Sequence, residues 1–132
     1  MNTKDYIKLY KDESLKVFND IDNDQIESFV ELVWKTYQNN NAVFACGNGG
    51  NAGFVANLVS DFALHPFVME DKSKVFSIEK RFKVFDLCAS STLMTGLMND
   101  LGSEHIFSGQ LNFYAEKQDL LMQFDRLQKR GI

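Results

Sequence analysis

Blocks of apolar and polar residues along the chain predict helices and strands in turn. Two amphipathic helices are predicted first, over residues 5–18 and from residue 23 or 24 to residue 37, on either side of a polar break. The apolar residues of the second helix recur at intervals of three and four and so share one face: Ile26, Phe29, Val30, Val33, Trp34 and Tyr37. Such an early helical pair is as typical of subunit association as of helices that cover a sheet.

A short apolar run, Ala42 to Cys46, predicts a buried strand. A helix is predicted from about Ala52 to Leu64, closed by His65 and Pro66. Its expected buried stripe consists of Phe54, Val55, Leu58, Val59 and Phe62. The mixed, polar residues 67–80 predict a loop.

The remaining segments repeat the order of strand and helix. We predict a second strand over residues 81–88, helices over 92–98 and from 103 or 104 to 114, and a third strand that starts at residues 119–122. Alternation of this kind predicts a parallel sheet with helices on both faces and right-handed crossovers. Ligands of such sheets bind at the carboxyl ends of the strands, where the connecting turns gather.

The first of these turns is rich in glycine and asparagine, with the sequence CGNGGN at residues 46–51. Glycine permits positive φ and close approach of the backbone to a ligand. The free N–H groups of a following helix bind anions. The loop alone is equally consistent with a phosphate site and with a simple tight turn, because short glycine motifs are weak signals. It is neither a dinucleotide motif, since Ala52 replaces the last glycine, nor a Walker loop, since no Gly-Lys-Ser/Thr follows.

Asn57 and Asp61 are four residues apart and therefore lie on one face of the helix after this loop. At the edge of the buried stripe, the two side chains either reach a bound ligand or belong to a solvated flank. The second interpretation is the commoner one for polar residues on a helix.

Size and composition narrow the classes of function. A chain of 132 residues is long enough for one domain with a core, and its net charge of −4 gives no general attraction to nucleic acid or to acidic membranes. We expect a cytoplasmic protein, because no apolar run suits a signal peptide or a membrane span. Cys46 and Cys88 lie in apolar runs and predict buried reduced thiols.

Three segments together resemble the phosphoheptose isomerases of the sugar-isomerase (SIS) family, which convert sedoheptulose 7-phosphate to a heptose phosphate. VFACGNGGNA (residues 43–52) is similar to the family's Gly-Asn-Gly-Gly-Ser opening, and LMTGLMNDLG (93–102) to its helix ending in Asn-Asp-x-Gly. EHIFSGQL (104–111) resembles the segment that follows. The resemblance extends to about Leu121.

The resemblance implies an α/β fold with a SIS-type, flavodoxin-like parallel sheet, flanking helices and an N-terminal helical pair. The family's sheet has about five strands, and we expect an incomplete sheet of about three. We expect one SIS-like domain over residues 1–132. It would comprise N-terminal helices (1–40), an α/β core (41–121) and a divergent tail (122–132).

The resemblance also implies roles for individual residues. The implied substrate contacts are Asn48, Gly49, Gly50, Asn51, Asn99 and Asp100, with Asn51 at the position of a phosphate-binding serine. Asp61 stands where the family has its catalytic glutamate. Its carboxylate would move a proton between the two carbons of an enediol intermediate. Asn57 stands at the position of a zinc-binding histidine.

The departures from the family are as informative. Asparagine is a poor zinc ligand beside histidine, and Asp61 is one methylene shorter than glutamate in a site where about 1 Å can cost ~100-fold in rate. A second phosphate loop rich in Ser, Thr and Gly should follow Leu121, but the chain has MQFDRL at residues 122–127. The family's later catalytic histidine and metal ligands are missing, and neither His65 nor His105 stands at a ligand position. We therefore expect a truncated or frame-disrupted member without tightly bound zinc.

Three functions remain open. In the first, the chain is an isomerase that works as a homo-oligomer (dimer or tetramer) with groups from a partner subunit. In the second, it is a non-catalytic phosphosugar-binding or regulatory protein. In the third, it is an assembly module built on the N-terminal helices. The altered zinc position and second loop favour the last two for the isolated chain, so whether it is an enzyme stays open. The expected ligand is a phosphorylated sugar such as sedoheptulose 7-phosphate, with neither nucleic acid nor a membrane as partner.

Overall fold

The computed structural model describes residues 2–65 and 80–125. Its elements in chain order are α1 (Thr3–Asn19), α2 (Asn23–Gln38), β1 (Ala42–Gly47), α3 (Gly50–Leu64), β2 (Lys83–Asp86), α4 (Ser91–Leu101), a 3₁₀ helix (Ser103–His105), α5 (Ser108–Tyr114) and β3 (Leu120–Phe124). The loop predicted over residues 67–80 lies outside the described residues except for Lys80. Within the described ranges, no helix has the length and apolar character needed to cross a membrane.

The three strands form one parallel sheet in the order β2-β1-β3. In this register Val43 pairs with Val84 on one side and with Leu120 on the other. Every residue of β1 is buried, as expected for the central strand of a sheet that is covered on both faces. The predicted α/β fold with a parallel sheet of about three strands is confirmed.

Alternate residues of β1 enter two hydrophobic clusters on opposite faces of the sheet. One cluster contains Val33, Val43, Ala45, Val55 and Met122. The other contains Ala42, Phe44, Cys46 and Leu87, with Phe107, Leu111 and Ala115 packed against it. Helix α3 packs against the first cluster and α5 against the second, so β1 is the centre of the core.

Residues 1–32 and 33–132 form two compact units, with the boundary inside α2. In the first unit α1 buries no residue, and its large apolar side chains are exposed, among them Tyr6, Ile7, Tyr10, Leu15 and Phe18. In the second unit the end of α2 buries Val33 and Thr36. The apolar face predicted for α2 therefore enters the core only at its C-terminal end, and Ile26, Phe29, Val30 and Trp34 are exposed.

The connections after β2 differ from the prediction. The second strand is shorter than predicted, and the helix predicted over residues 103–114 is divided into a 3₁₀ helix and α5. Helix α4 continues through Asn99 and Asp100, beyond the predicted end at residue 98. It ends instead at Gly102, whose φ of 107° favours glycine.

One expectation about burial was wrong, and the third strand extends further along the chain than the residues at which it was predicted to start. Phe54, predicted in the buried stripe of α3, is exposed, with its ring edge-on to Phe124 at 4.9 Å between centroids. Strand β3 continues to Phe124 and so includes the first residues of the predicted tail. Residues 126–132 of that tail lie outside the described residues.

Gln110 is a buried polar residue that joins α5 to the end of β2. Its Nε2 donates to the carbonyl oxygens of Leu87 and Ile106, each at 2.9 Å. Gln110→Leu should lower the free energy of unfolding by about 1–3 kcal/mol, because buried carbonyl groups lose their donor. Urea denaturation measures this, with Asn112→Leu on the exposed side of the same helix as control. Equal effects of the two variants would contradict this role of Gln110.

Candidate functional site

The glycine loop joins the carboxyl end of β1 to the first turn of α3. Gly49 has φ 56° and ψ −122°, a backbone conformation that favours glycine. No side chain among the described residues caps this end of α3, and the positions that a Cβ of Gly49 or Gly50 would occupy are open. The N-terminus of the helix is therefore open around Gly49 and Gly50 and has no side-chain cap, and helix N-termini of this kind bind anions.

Gly47 holds the loop closely against the helix. A Cβ at this position would lie 2.8 Å from the backbone carbon and oxygen of Asn51. Within the loop, the N–H groups of Asn51 and Ala52 donate to the carbonyl oxygens of Asn48 and Gly49, both at 3.1 Å. The close approach of Gly47 and these two bonds fix the path of the backbone around the helix N-terminus.

A cavity of about 370 Å³ opens beside this loop. It is lined by Cys46, Gly47, Asn48, Gly49 and Ala52 from the loop region, by Met94, Ser103, Ile106 and Phe107 from the segments after β2, and by Gln123, Phe124 and Asp125 at the end of β3. The cavity thus lies at the carboxyl ends of β1 and β3, where this topology places ligand sites.

The charged part of the cavity wall lies at the end of β3. Among the described residues the one charged side chain that lines the cavity is Asp125. Gln123, Phe124 and Asp125 stand where the resemblance places a second phosphate loop rich in Ser, Thr and Gly. A carboxylate there is less favourable to a phosphate than the neutral Ser, Thr and Gly residues of such a loop.

Asn57 and Asp61 lie on an exposed side of α3, one turn apart. The Asn57 Nδ2 donates to Asp61 Oδ2 at 2.9 Å, and His65 Nε2 lies 3.3 Å from Asp61 Oδ1. His65 ends the helix, as predicted. The rise of an α-helix separates Asn51 from Asp61 by about 15 Å along the axis, and Asp61 does not line the cavity.

This donor set does not fit a zinc ion. Zinc in proteins takes four nitrogen, sulfur or oxygen ligands, whereas the Asn57 amide directs its NH₂ group at the Asp61 carboxylate. In the part of the chain that the structure describes, no group of three or more His, Cys, Asp or Glu side chains is placed to hold a metal.

Asn99 and Asp100 lie at the exposed end of α4. The Asn99 Nδ2 donates to Asp100 Oδ1 at 3.0 Å. Asp100 lines a separate groove together with Leu101 and Tyr114.

The structure brings two of the six predicted substrate contacts to the cavity. These are Asn48 and Gly49. The cavity lining does not include Gly50, Asn51, Asn99 or Asp100.

Cys46 and Cys88 are free cysteines, and Cys46 is buried as predicted, whereas Cys88 is only partly buried. The Cys88 Sγ donates to the carbonyl oxygen of Gly47 at 3.2 Å and accepts from its N–H at 3.4 Å. Burial, and then the charge of Cys88, raises the pKa of Cys46 above the ordinary value of 9.0. Burial is also the main cause that raises the pKa of Cys88.

Comparison with proteins of known sequence finds phosphoheptose isomerases. The enzyme of Aneurinibacillus thermoaerophilus is 27% identical over 123 residues, which cover 89% of this chain and 58% of that protein. The enzyme of Helicobacter pylori strain P12 is 25% identical over 114 residues, which cover 83% and 53%. No protein-family model matches the chain.

A solved structure shares the fold. The phosphoheptose isomerase of Neisseria gonorrhoeae superposes with a TM-score of 0.73 at 20% identity, over 92% of this chain and 60% of that one. These comparisons confirm the resemblance to phosphoheptose isomerases and the SIS-type α/β fold that the sequence predicts. The chain spans about half the length of the curated relatives it matches.

Proposed function

We propose that this chain, a homologue of phosphoheptose isomerases, binds a sugar phosphate in the cavity beside the glycine loop. The observation that carries the proposal is the open N-terminus of α3, with Asn48 and Gly49 in the cavity wall. Backbone N–H groups of the loop would hold the phosphate. The hydroxyl group of Ser103, which also lines the cavity, offers a donor and an acceptor to a sugar hydroxyl.

Turnover as an isomerase would need a carboxylate beside the sugar carbonyl, the role that the resemblance gives to Asp61. Because Asp61 does not line the cavity of this chain, we propose that catalysis takes place only in a homo-oligomer, with groups from a second copy. The exposed apolar residues of α1, such as Tyr10, Leu15 and Phe18, are of the kind that associating subunits bury. The proposed setting is the cytoplasm.

A second candidate is sugar-phosphate binding without turnover. It is favoured by the Asn57–Asp61 pair, whose donor set does not fit zinc, and by the carboxylate of Asp125 in the cavity wall. Both candidates share the binding step, so that step is tested first.

The test is thermal unfolding with and without sedoheptulose 7-phosphate at several protein concentrations. A ligand at about 100 times its Kd stabilises the native state by ~2.7 kcal/mol and raises the Tm. We expect a rise in wild type, a smaller one in Asn48→Ala and a larger one in Asp125→Asn, which removes the negative charge. Sedoheptulose without phosphate is the control ligand.

The outcomes separate the candidates. No shift in either wild type or Asp125→Asn would overturn the proposed site. A shift without formation of the isomeric sugar phosphate would identify a binding protein. Turnover that Asp61→Asn abolishes, in a protein whose Tm depends on its concentration, would identify an oligomeric isomerase.

A further inference from the structure

Cys46 and Cys88 lie at the ends of neighbouring strands, immediately below the glycine loop. The register pairs Ala45 with Asp86, and the Leu87 N–H donates to the Ala45 carbonyl at 2.9 Å, so the alignment continues beyond β2. Cys88 follows Leu87 in the turn after β2, in which the Ala89 N–H donates to the Asp86 carbonyl oxygen at 3.3 Å. This turn brings Cys88 against Gly47, the residue directly after Cys46, and neighbouring strands of a sheet lie ~4.8 Å apart. Disulfides span Cα separations of about 4.4–6.8 Å.

The two side chains also share one face of the sheet. Cys46 is a member of the cluster that contains Phe44 and Leu87, and Cys88 packs against the same cluster. The Cys88 Sγ contacts both backbone polar groups of Gly47, the residue directly after Cys46. The thiols are therefore close neighbours in the folded chain.

Cys46 is 2% exposed and lines the cavity beside the glycine loop, whereas Cys88 is only partly buried, so Cys88 is the thiol that a small oxidant meets first. The chain has two cysteines, so these two have no competitor for an intramolecular bond. Neither cysteine forms a disulfide in this structure.

We propose that Cys46 and Cys88 are a modification site, a thiol pair that a hydroperoxide converts to a reversible disulfide at the base of the glycine loop. One thiol, as its thiolate, attacks the peroxide oxygen and becomes a sulfenic acid, and with hydrogen peroxide the leaving group is released as water. The second thiol attacks that sulfur and expels a second water. Two thiols lose two electrons and two protons, and one peroxide is reduced to two waters.

Oxidation changes the loop because Cys88 must leave Gly47. The Gly47 N–H and carbonyl then lose their sulfur partner, directly before the loop that faces the cavity. Gly47 has little room to move towards α3, since even a Cβ on this residue would lie 2.8 Å from the backbone of Asn51. We expect the oxidised chain to bind sugar phosphate more weakly. This consequence rests on the proposed function, whereas formation of the disulfide does not.

The experiment treats the reduced full chain with hydrogen peroxide at low protein concentration and measures intact mass under non-reducing conditions. We expect the loss of two hydrogens, a cross-linked peptide pair that contains Cys46 and Cys88, and reversal by dithiothreitol. The reaction should be faster at alkaline pH, because the thiolate is the nucleophile and the pKa of both thiols is raised.

Cys46→Ser and Cys88→Ser, checked for folding by circular dichroism, should form no bond within the chain and should accumulate sulfenic acid. Wild type that gives only chain-to-chain disulfides or sulfinic acid would overturn the proposal. An absence of reaction under conditions that oxidise glutathione would also overturn it.

A second measurement compares the Tm shift caused by sedoheptulose 7-phosphate in the reduced and the oxidised chain. We expect the shift to be lost on oxidation and restored by dithiothreitol. If sedoheptulose 7-phosphate caused no Tm shift in the reduced chain, the proposed function would be contradicted, but the result on disulfide formation would not be affected. Equal shifts in both forms would overturn the link between the thiol pair and the loop.

Discussion

Gly47→Ala is expected to lower the free energy of unfolding by about 1–3 kcal/mol and to abolish the rise in Tm that sedoheptulose 7-phosphate causes. The added methyl group would lie 2.8 Å from the backbone carbon and oxygen of Asn51 and 3.0 Å from its Cβ. These atoms belong to the first turn of α3 and cannot rotate away as the end of a flexible side chain can. The turn must therefore move, and with it Asn48 and Gly49 in the cavity wall.

Gly53→Ala is the matched control for this substitution. Gly53 lies in α3, and nothing lies within 4 Å of the position its Cβ would take. Alanine there should stabilise the helix by roughly 0.5–1 kcal/mol and leave ligand binding unchanged. Urea denaturation and the ligand-induced Tm shift are measured for both variants. If Gly47→Ala behaved like Gly53→Ala, the close contact between the loop and α3 would not determine the site.

The central part of the fold is predictable from the sequence because the pattern of residues in β1 and directly after it identifies both the buried strand and the turn that follows. The sequence AVFACG at residues 42–47 is apolar throughout, as in a strand buried on both faces, and the glycine run directly after it marks the turn into α3. Where α4 ends is less predictable. Asn99 and Asp100 are typical of turns, yet the helix continues through them to Gly102, where the backbone takes a positive φ.

The site was predicted less completely than the fold. Asn48 and Gly49 come from the family resemblance, and the local pattern agrees with it, since glycines and an amide come directly after a buried strand. Ser103 and Met94 were missed, because the path of α4 and the 3₁₀ helix decides which of their residues face the cavity. The place of Asp125 in the cavity wall could have been predicted, since β3 runs parallel to β1 and the residues after Met122 must reach the same edge of the sheet.

Phe44→Ala is expected to have the largest effect on stability, a loss of about 3–5 kcal/mol. Phe44 is 2% exposed in the central strand, and its ring stacks on Phe85 with centroids 5.1 Å apart. Domains are commonly stable by only about 5–15 kcal/mol, so the loss would remove a large part of the total. The thermal transition should move to much lower temperature, measured by circular dichroism. Phe113→Ala, at a position that is 56% exposed, provides the control with the same change of side chain.

Phe44→Leu separates the packing of β1 from the chemistry of the loop. Leucine retains most of the buried volume, so the loss should be much smaller than that of Phe44→Ala. The Phe44 side chain is absent from the lining of the cavity beside the loop, so the Tm shift with sedoheptulose 7-phosphate should persist in this variant although its starting Tm is lower. If the ligand-induced shift instead vanished together with the stability, the loop would depend on the packing of the whole strand and not on its own short-range contacts. If Phe44→Ala were as mild as Phe113→Ala, β1 would not be the centre of the core.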